Sequence, residues 1–213
     1  MAERSTTKAR RRALRADARR SIARVLDAAV EELAGDREAS MEAIARRAGV
    51  ARATLYVHFP TREALIAAVT ERAIAEASEV IAAAAPEDGE PREALARVVR
   101  SAWRALGRYH ALVEINARIA PARLRAIHAP VLDHLRPLLR RGQASRAFNP
   151  DLPLDWMLTV VLELIHAASR EASSGRLSQQ AAEQALTASV AGALAPPATA
   201  TDTAPGTQAR GAQ

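Results

Sequence analysis

A short stretch near the N-terminus holds side chains suited to phosphate oxygens and base edges: Arg52, Thr54, Tyr56 and Arg62. The fork of Arg52 can reach guanine O6 and N7 bidentately, and the hydroxyls of Thr54 and Tyr56 suit phosphate. Arg62, near a helix N-terminus, can pair with phosphate where backbone N–H groups also point. A second set lies far downstream. Glu163 and His166 make a Glu-x-x-His step, which places carboxylate and imidazole on one helix face as in di-iron bundles, and His110 stands four residues before Glu114. Such a metal site needs a second Glu-x-x-His step and two more carboxylates, and the chain has no second step.

The elements that must position the first set are legible. Ser40 suits the cap of a helix over about 41–47, with Ile44, Ala45 and Ala48 at helical spacing. Gly49 ends it, because glycine enters the left-handed C-terminal position without steric cost. Val50 fills the corner, and a second short helix runs over about 52–57, with Leu55 facing inward. Two helices joined by a short glycine-containing turn form the geometry that sets the second helix in a DNA major groove.

The residues that carry a family likeness are Gly35, Ile44-Ala45, Ala48-Gly49-Val50, Thr54-Leu55-Tyr56, His58-Phe59, Arg62, Glu63 and Leu65. In this pattern, confined to about residues 20–70, the chain resembles the TetR family of bacterial transcription regulators. The resemblance implies that Arg52, Ala53, Thr54 and Tyr56 lie in the major groove or on its phosphates, and that Ser40, His58 and Arg62 contact the DNA backbone. Two readings stand for Tyr56 and for His58: DNA contact, or packing within the head. Arg46 and Arg47 read as a solvated face. Two departures are present. Ala51 stands where the family often has a Ser or Thr cap, a loss of roughly 1 kcal/mol. Glu42 stands where many relatives have a basic residue; it suits the positive end of its helix but repels phosphate, so it is given no DNA contact.

Charge supports the same direction. Residues 1–20 hold eight basic and two acidic side chains, and the remaining 22 basic and 22 acidic residues cancel. The whole net charge of +6 therefore sits just ahead of the reading head. The arm 1–17 reads as disordered, suited to phosphate or minor-groove contact, with a plain solvated tail as the other reading. There is no cysteine, so disulfides and thiolate metal sites are excluded. The chain has neither a membrane-length apolar run nor the apolar stretch of a secretory signal, and reads as cytoplasmic. There is no Gly-rich phosphate loop or nucleophile elbow, and neither catalysis, a metal nor a cofactor is expected.

Abundant Ala, Leu, Arg and Glu with few aromatics predict an all-α fold of about nine helices. The expected organisation is an arm over 1–17, a helix-turn-helix domain over 18–66, a ligand-binding and dimerisation domain over 67–194, and a disordered tail over 195–213. Helices are expected over about 18–34, 62–84, 92–107, 108–120, 154–173 and 178–194. Pro130 and Pro137 predict an interrupted stretch over 122–146, with a kinked helix from about 131 to 144. The helix over 154–173 is apolar almost all round and needs two buried sides; the next carries Ala181, Ala185, Ser189 and Gly192 in a row of small residues. Together they read as a homodimer seam.

If the fold follows the resemblance, an effector pocket lies among residues 92–168. Its candidates are Trp103, Tyr109, Asn116, Trp156, Met157, Glu163 and His166, with plain core packing the other reading for both tryptophans. The resemblance implies a repressor released from a palindromic operator by a small molecule. Two other readings are a di-iron type enzyme using Glu163 and His166, and an effector-independent DNA binder. Against the latter stand the 120 or so residues beyond the head, which such a protein does not need.

Overall fold

In a computed structural model the chain is all-helical; it describes residues 2–116, 119 and 121–197. Among these residues the elements are α1 (Ala2–Gly35), α2 (Met41–Ala48), α3 (Arg52–His58), α4 (Arg62–Ala83), α5 (Pro91–Leu106), a 3-10 turn (Gly107–Tyr109), α6 (His110–Ile115), α7 (Pro121–Ala144), α8 (Leu154–Ser173) and α9 (Gln179–Ala193). No helix among them is long and apolar enough to cross a membrane. The tail expected over 195–213 lies outside the described residues from position 198 on.

Capping explains most boundaries. The Ser40 hydroxyl accepts from the Ala43 amide at 3.2 Å, and Thr61 does the same for Ala64 at 3.1 Å. Gly49 closes α2 with φ +63°, while the amides of Gly49 and Val50 reach back to Arg46 and Ala45 at 3.2 and 3.1 Å. Ala51 gives α3 no side-chain cap. Pro91 starts α5, and Glu90 ahead of it accepts from two amides, those of Arg92 and Glu93. Ser178 caps α9 through the amide of Ala181.

Two expectations are corrected. Residues 2–17 continue α1 as helical backbone instead of a disordered arm, because neither Gly nor Pro interrupts the chain before Gly35 and Ala, Arg and Lys all favour helix. Helix α7 is likewise unbroken through Pro130 and Pro137. Both prolines are exposed, so the hydrogen bonds they remove fall on the outer face, where water takes over the freed carbonyls.

The interior forms two hydrophobic clusters. One joins α1, α2, α3 and the first half of α4, and also takes in Tyr109 and Leu112. The other joins the end of α4 with α5, α7, α8 and α9. Helix α4 belongs to both, so the expected boundary after residue 66 is not a break in packing. At the far end, Gly142 allows the Phe148 ring to lie on the α7 backbone: a Cβ there would come within 2.0 Å of the ring.

Candidate nucleic-acid interface and internal cavity

Helix α3 is anchored by Leu55, fully buried in the head cluster, with Phe59 beside it. Arg52, Ala53, Tyr56 and Val57 are exposed, and Thr54 and His58 are half-buried. The last two border an open groove against α1, lined by Asp17, Arg20, Ser21 and Arg24. Val57, 78% exposed, was missed by the reasoning from sequence. The signal was available: two residues beyond Leu55 is about 200° around a helix, nearly opposite the buried anchor. A bare valine here suits a thymine methyl.

Arg52 is held from two sides. Its guanidinium pairs with Glu42 of α2 and lies 5.5 Å from the centroid of the Tyr56 ring. Glu42, which sequence reasoning set aside, thus faces the same surface as the base-reading candidate. Ser40 accepts its capping bond and keeps its hydroxyl proton for another acceptor. Arg62 donates to the carbonyls of Arg37 and Ala39, tying the turn before α2 to the start of α4; at the phosphate-facing position given it by sequence it is already a structural clamp. Arg47 pairs with Glu31 and Glu32 of α1.

Deeper in the molecule, α4, α5, α6, α7 and α8 surround a cavity of about 270 Å³. Of the expected residues, Tyr109, Asn116, Glu163 and His166 line it, and Trp103, Trp156 and Met157 do not. An amphipathic residue type does not tell which way its side chain turns. Trp103 packs in the core against His110, ring centroids 4.7 Å apart; Met157 is fully buried elsewhere; Trp156, in the first turn of α8, is 56% exposed. His128 was not foreseen. It lines the cavity beside His166, the two rings edge to face with centroids 5.4 Å apart at 69°. Burial holds His166 down to about 4, helped by His128 and Arg170, and burial also lowers His128, so both rings are neutral near pH 7.

The other metal-like pair is committed to structure. His110 meets the Ser169 hydroxyl at 2.7 Å and donates through Nε2 to Gln179 at 3.1 Å, while Glu114 pairs with Arg37 at 2.6 Å. Among the described residues no three His, Asp or Glu side chains converge as a metal site.

Cavity and head share a polar seam. Tyr109 turns its ring to the cavity and donates its hydroxyl to Glu76 at 2.7 Å. Burial raises the Tyr109 phenol, which therefore stays protonated and able to donate. Arg72 and Arg108 both reach Asp27 of α1, at 3.1 and 3.5 Å, and both lie 3.6 Å from Glu76.

Residues 25–69 match the family model described as bacterial regulatory proteins, tetR family. No curated protein sequence matches. Among solved structures, the TetR-like transcriptional regulator LfrR from Mycobacterium smegmatis, in complex with proflavine, is 25% identical; the match covers 80% of this chain and 95% of that one, with a TM-score of 0.64. The regulator FadR from Bacillus subtilis, in complex with stearoyl-CoA, shares the fold at 21% identity and TM-score 0.65, covering 79% and 95% of the two chains. The fatty acid degradation regulator FadR from Bacillus halodurans does so at 20% identity and TM-score 0.65, covering 80% and 98%. With its glycine-ended α2 and outward-facing α3, the chain carries over residues 25–69 the DNA-binding domain of the tetR family of bacterial regulatory proteins, and its fold as a whole is that of TetR-like transcriptional regulators.

Proposed function

We propose that this regulator is a cytoplasmic homodimeric repressor that leaves a palindromic operator when a small molecule fills the internal cavity, and that it is not an enzyme. The observation that carries the reading is the double membership of α4. Its first turn adjoins the reading head, while Thr70, Ala73, Ile74, Ala77 and Ile81 form one wall of the cavity. At 22 residues it spans roughly 33 Å, long enough for a tilt at the cavity to displace α3. Two heads on one duplex must match a half-site spacing of about 34–36 Å, so a modest tilt costs both contacts. The seam from Tyr109 through Glu76 to Asp27 offers a second mechanical link.

DNA contacts fall to Arg52, Ala53, Thr54 and Tyr56 in the groove, and to Ser40, His58 and Arg62 along the backbone. Dimerisation falls to the outer faces of α8 and α9. Ala185, Ser189 and Gly192 are exposed there and Ala181 half-buried, which permits close helix approach, while Trp156 adds exposed apolar area at the start of α8. LfrR and FadR, each solved with a small molecule, support an effector for this chain.

The test begins with selection of an operator from random duplexes by the full chain. The expected product is a palindrome bound by two copies, and Ala185→Arg should abolish dimer and operator binding together. An effector must bind the DNA-free state more tightly, and by reciprocity operator must weaken effector binding by the same factor. Equal affinity with and without operator, or a monomer at micromolar concentration, contradicts the reading.

A further inference from the structure

The walls of the cavity differ in what they can still bond. Most of the lining is aliphatic. Tyr109 offers only its ring, since its hydroxyl is engaged by Glu76 and Arg108. The Thr70 hydroxyl donates to the carbonyl of Ile66 and accepts from Asn116. Asn116, half-buried, keeps its Oδ1 and one N–H, and two histidines keep ring nitrogens. His128 Nδ1 donates to the carbonyl of Leu124 at 2.8 Å, which leaves a lone pair on Nε2. His166 is 8% exposed, lines the cavity, and has no hydrogen-bond partner among the described residues.

His110 sharpens the point. It is buried to the same degree, in the same half of the molecule, and has both ring nitrogens engaged. The ring nitrogens of His166 are not among the sealed, unpaired atoms, so the imidazole opens to the cavity and has a bond to offer a guest there. Among the described residues the charged ones lining it, Glu163 and Arg170, are opposite in sign and both exposed, so their charges cancel. An engineered cavity of roughly 150 Å³ holds benzene, so a volume of about 270 Å³ suits a guest near two fused rings.

We propose that the cavity receives a neutral aromatic hydrogen-bond donor of about two rings, a phenol or an arylamine, whose O–H or N–H is accepted by the His128–His166 pair. The inference rests on the reading of this cavity as the effector site, and names its ligand class. A carboxylate is disfavoured, because it brings acceptors to the His128 Nε2 lone pair and loses its hydration among aliphatic walls whose two charges cancel.

Calorimetry on the full chain without DNA tests this with 2-naphthol, 2-naphthylamine, 2-methoxynaphthalene and 2-naphthoate. The first two are expected to bind at least about tenfold tighter than the methoxy compound, with the carboxylate weakest. His166→Leu should bring the donor preference down to about threefold or less while the methoxy compound still binds, which shows that the cavity persists. His128→Phe, measured alongside, should reduce the same preference and guards against a folding defect in the first variant. Equal binding of 2-naphthol and 2-methoxynaphthalene, tighter binding of the carboxylate, no binding of any probe, or a preference unchanged in both variants overturns the proposal. No arm contains operator, so the two readings fail separately. A donor that binds as expected without releasing DNA sinks the effector role alone; release by an acid with no affinity for 2-naphthol sinks the ligand class alone.

Discussion

The reading head and the cavity half use similar apolar residues to different ends. In the head, Ala28, Ala29, Ala45 and Ala48 let α1, the short α2 and α3, and α4 close tightly around Leu55, Leu65 and Val69, each less than 1% exposed. The cavity half also has a dense cluster, around Leu138, Leu139 and Met157, but next to it leaves an open space and two lowered histidines. A head that must present α3 at a fixed angle gains from close packing, because interiors at native density move as discrete units. In the effector reading proposed above, the cavity half keeps room and polar groups open to a guest, and so gives up stability that a ligand can restore.

The largest effect that should distinguish the halves is Leu55→Ala. It empties the centre of the head and should cost about 2–5 kcal/mol by denaturant titration, with operator binding lost before the cavity half unfolds. A loss below about 1 kcal/mol would mean the head is looser than its burial implies.

Acid should act on the other half. His166 titrates near 6.5 when unfolded and about 4 when folded, so the unfolded chain binds the proton first. Stability is therefore full above pH 6.5 and falls as pH drops toward 4, by up to about 3 kcal/mol from this residue. His128 and His110, both lowered by burial, act in the same direction. His166→Leu should flatten this slope, and melting curves between pH 7 and 4 measure it; an unchanged slope would show that the ring is solvated.

A matched pair of enlargements comes next. Ala29→Leu, in a site without exposed surface, should destabilise by about 1–3 kcal/mol through overpacking. Ala77→Leu, on the cavity wall, should be nearly neutral for stability and should block ligand binding. Equal costs at the two sites would erase the contrast.

The smallest expected effect is at the surface of the head. Glu42→Gln removes an exposed ion pair and should change stability by less than about 1 kcal/mol. It releases Arg52 from one of its two restraints, so base preference should relax at one position per half-site while overall affinity holds or rises. Operator selection repeated with the variant reads this directly.

Local physics alone determined much of this protein. The sequence is enough to place α2 between Ser40 and Gly49, α4 after Thr61, α5 after Pro91 and α8 over 154–173, because caps, left-handed glycines and apolar periodicity act within a few residues. The family pattern in the head belongs to the same class of signal, since a short motif encodes both a turn and an exposed face. Other features needed the tertiary structure. Periodicity shows which face of a helix is apolar, but not the register at which two helices meet. That register decides that His128 of α7 meets His166 of α8, that Trp103 turns to the core while Trp156 turns to solvent, and that Glu42 reaches Arg52. It decides too that Arg62 is held by the carbonyls of Arg37 and Ala39, and that Tyr109 and Leu112, far along the chain, complete the core of the head. Even the continuity of α7 through two prolines turned on which side of the helix faces water, and the packing of its neighbours sets that side.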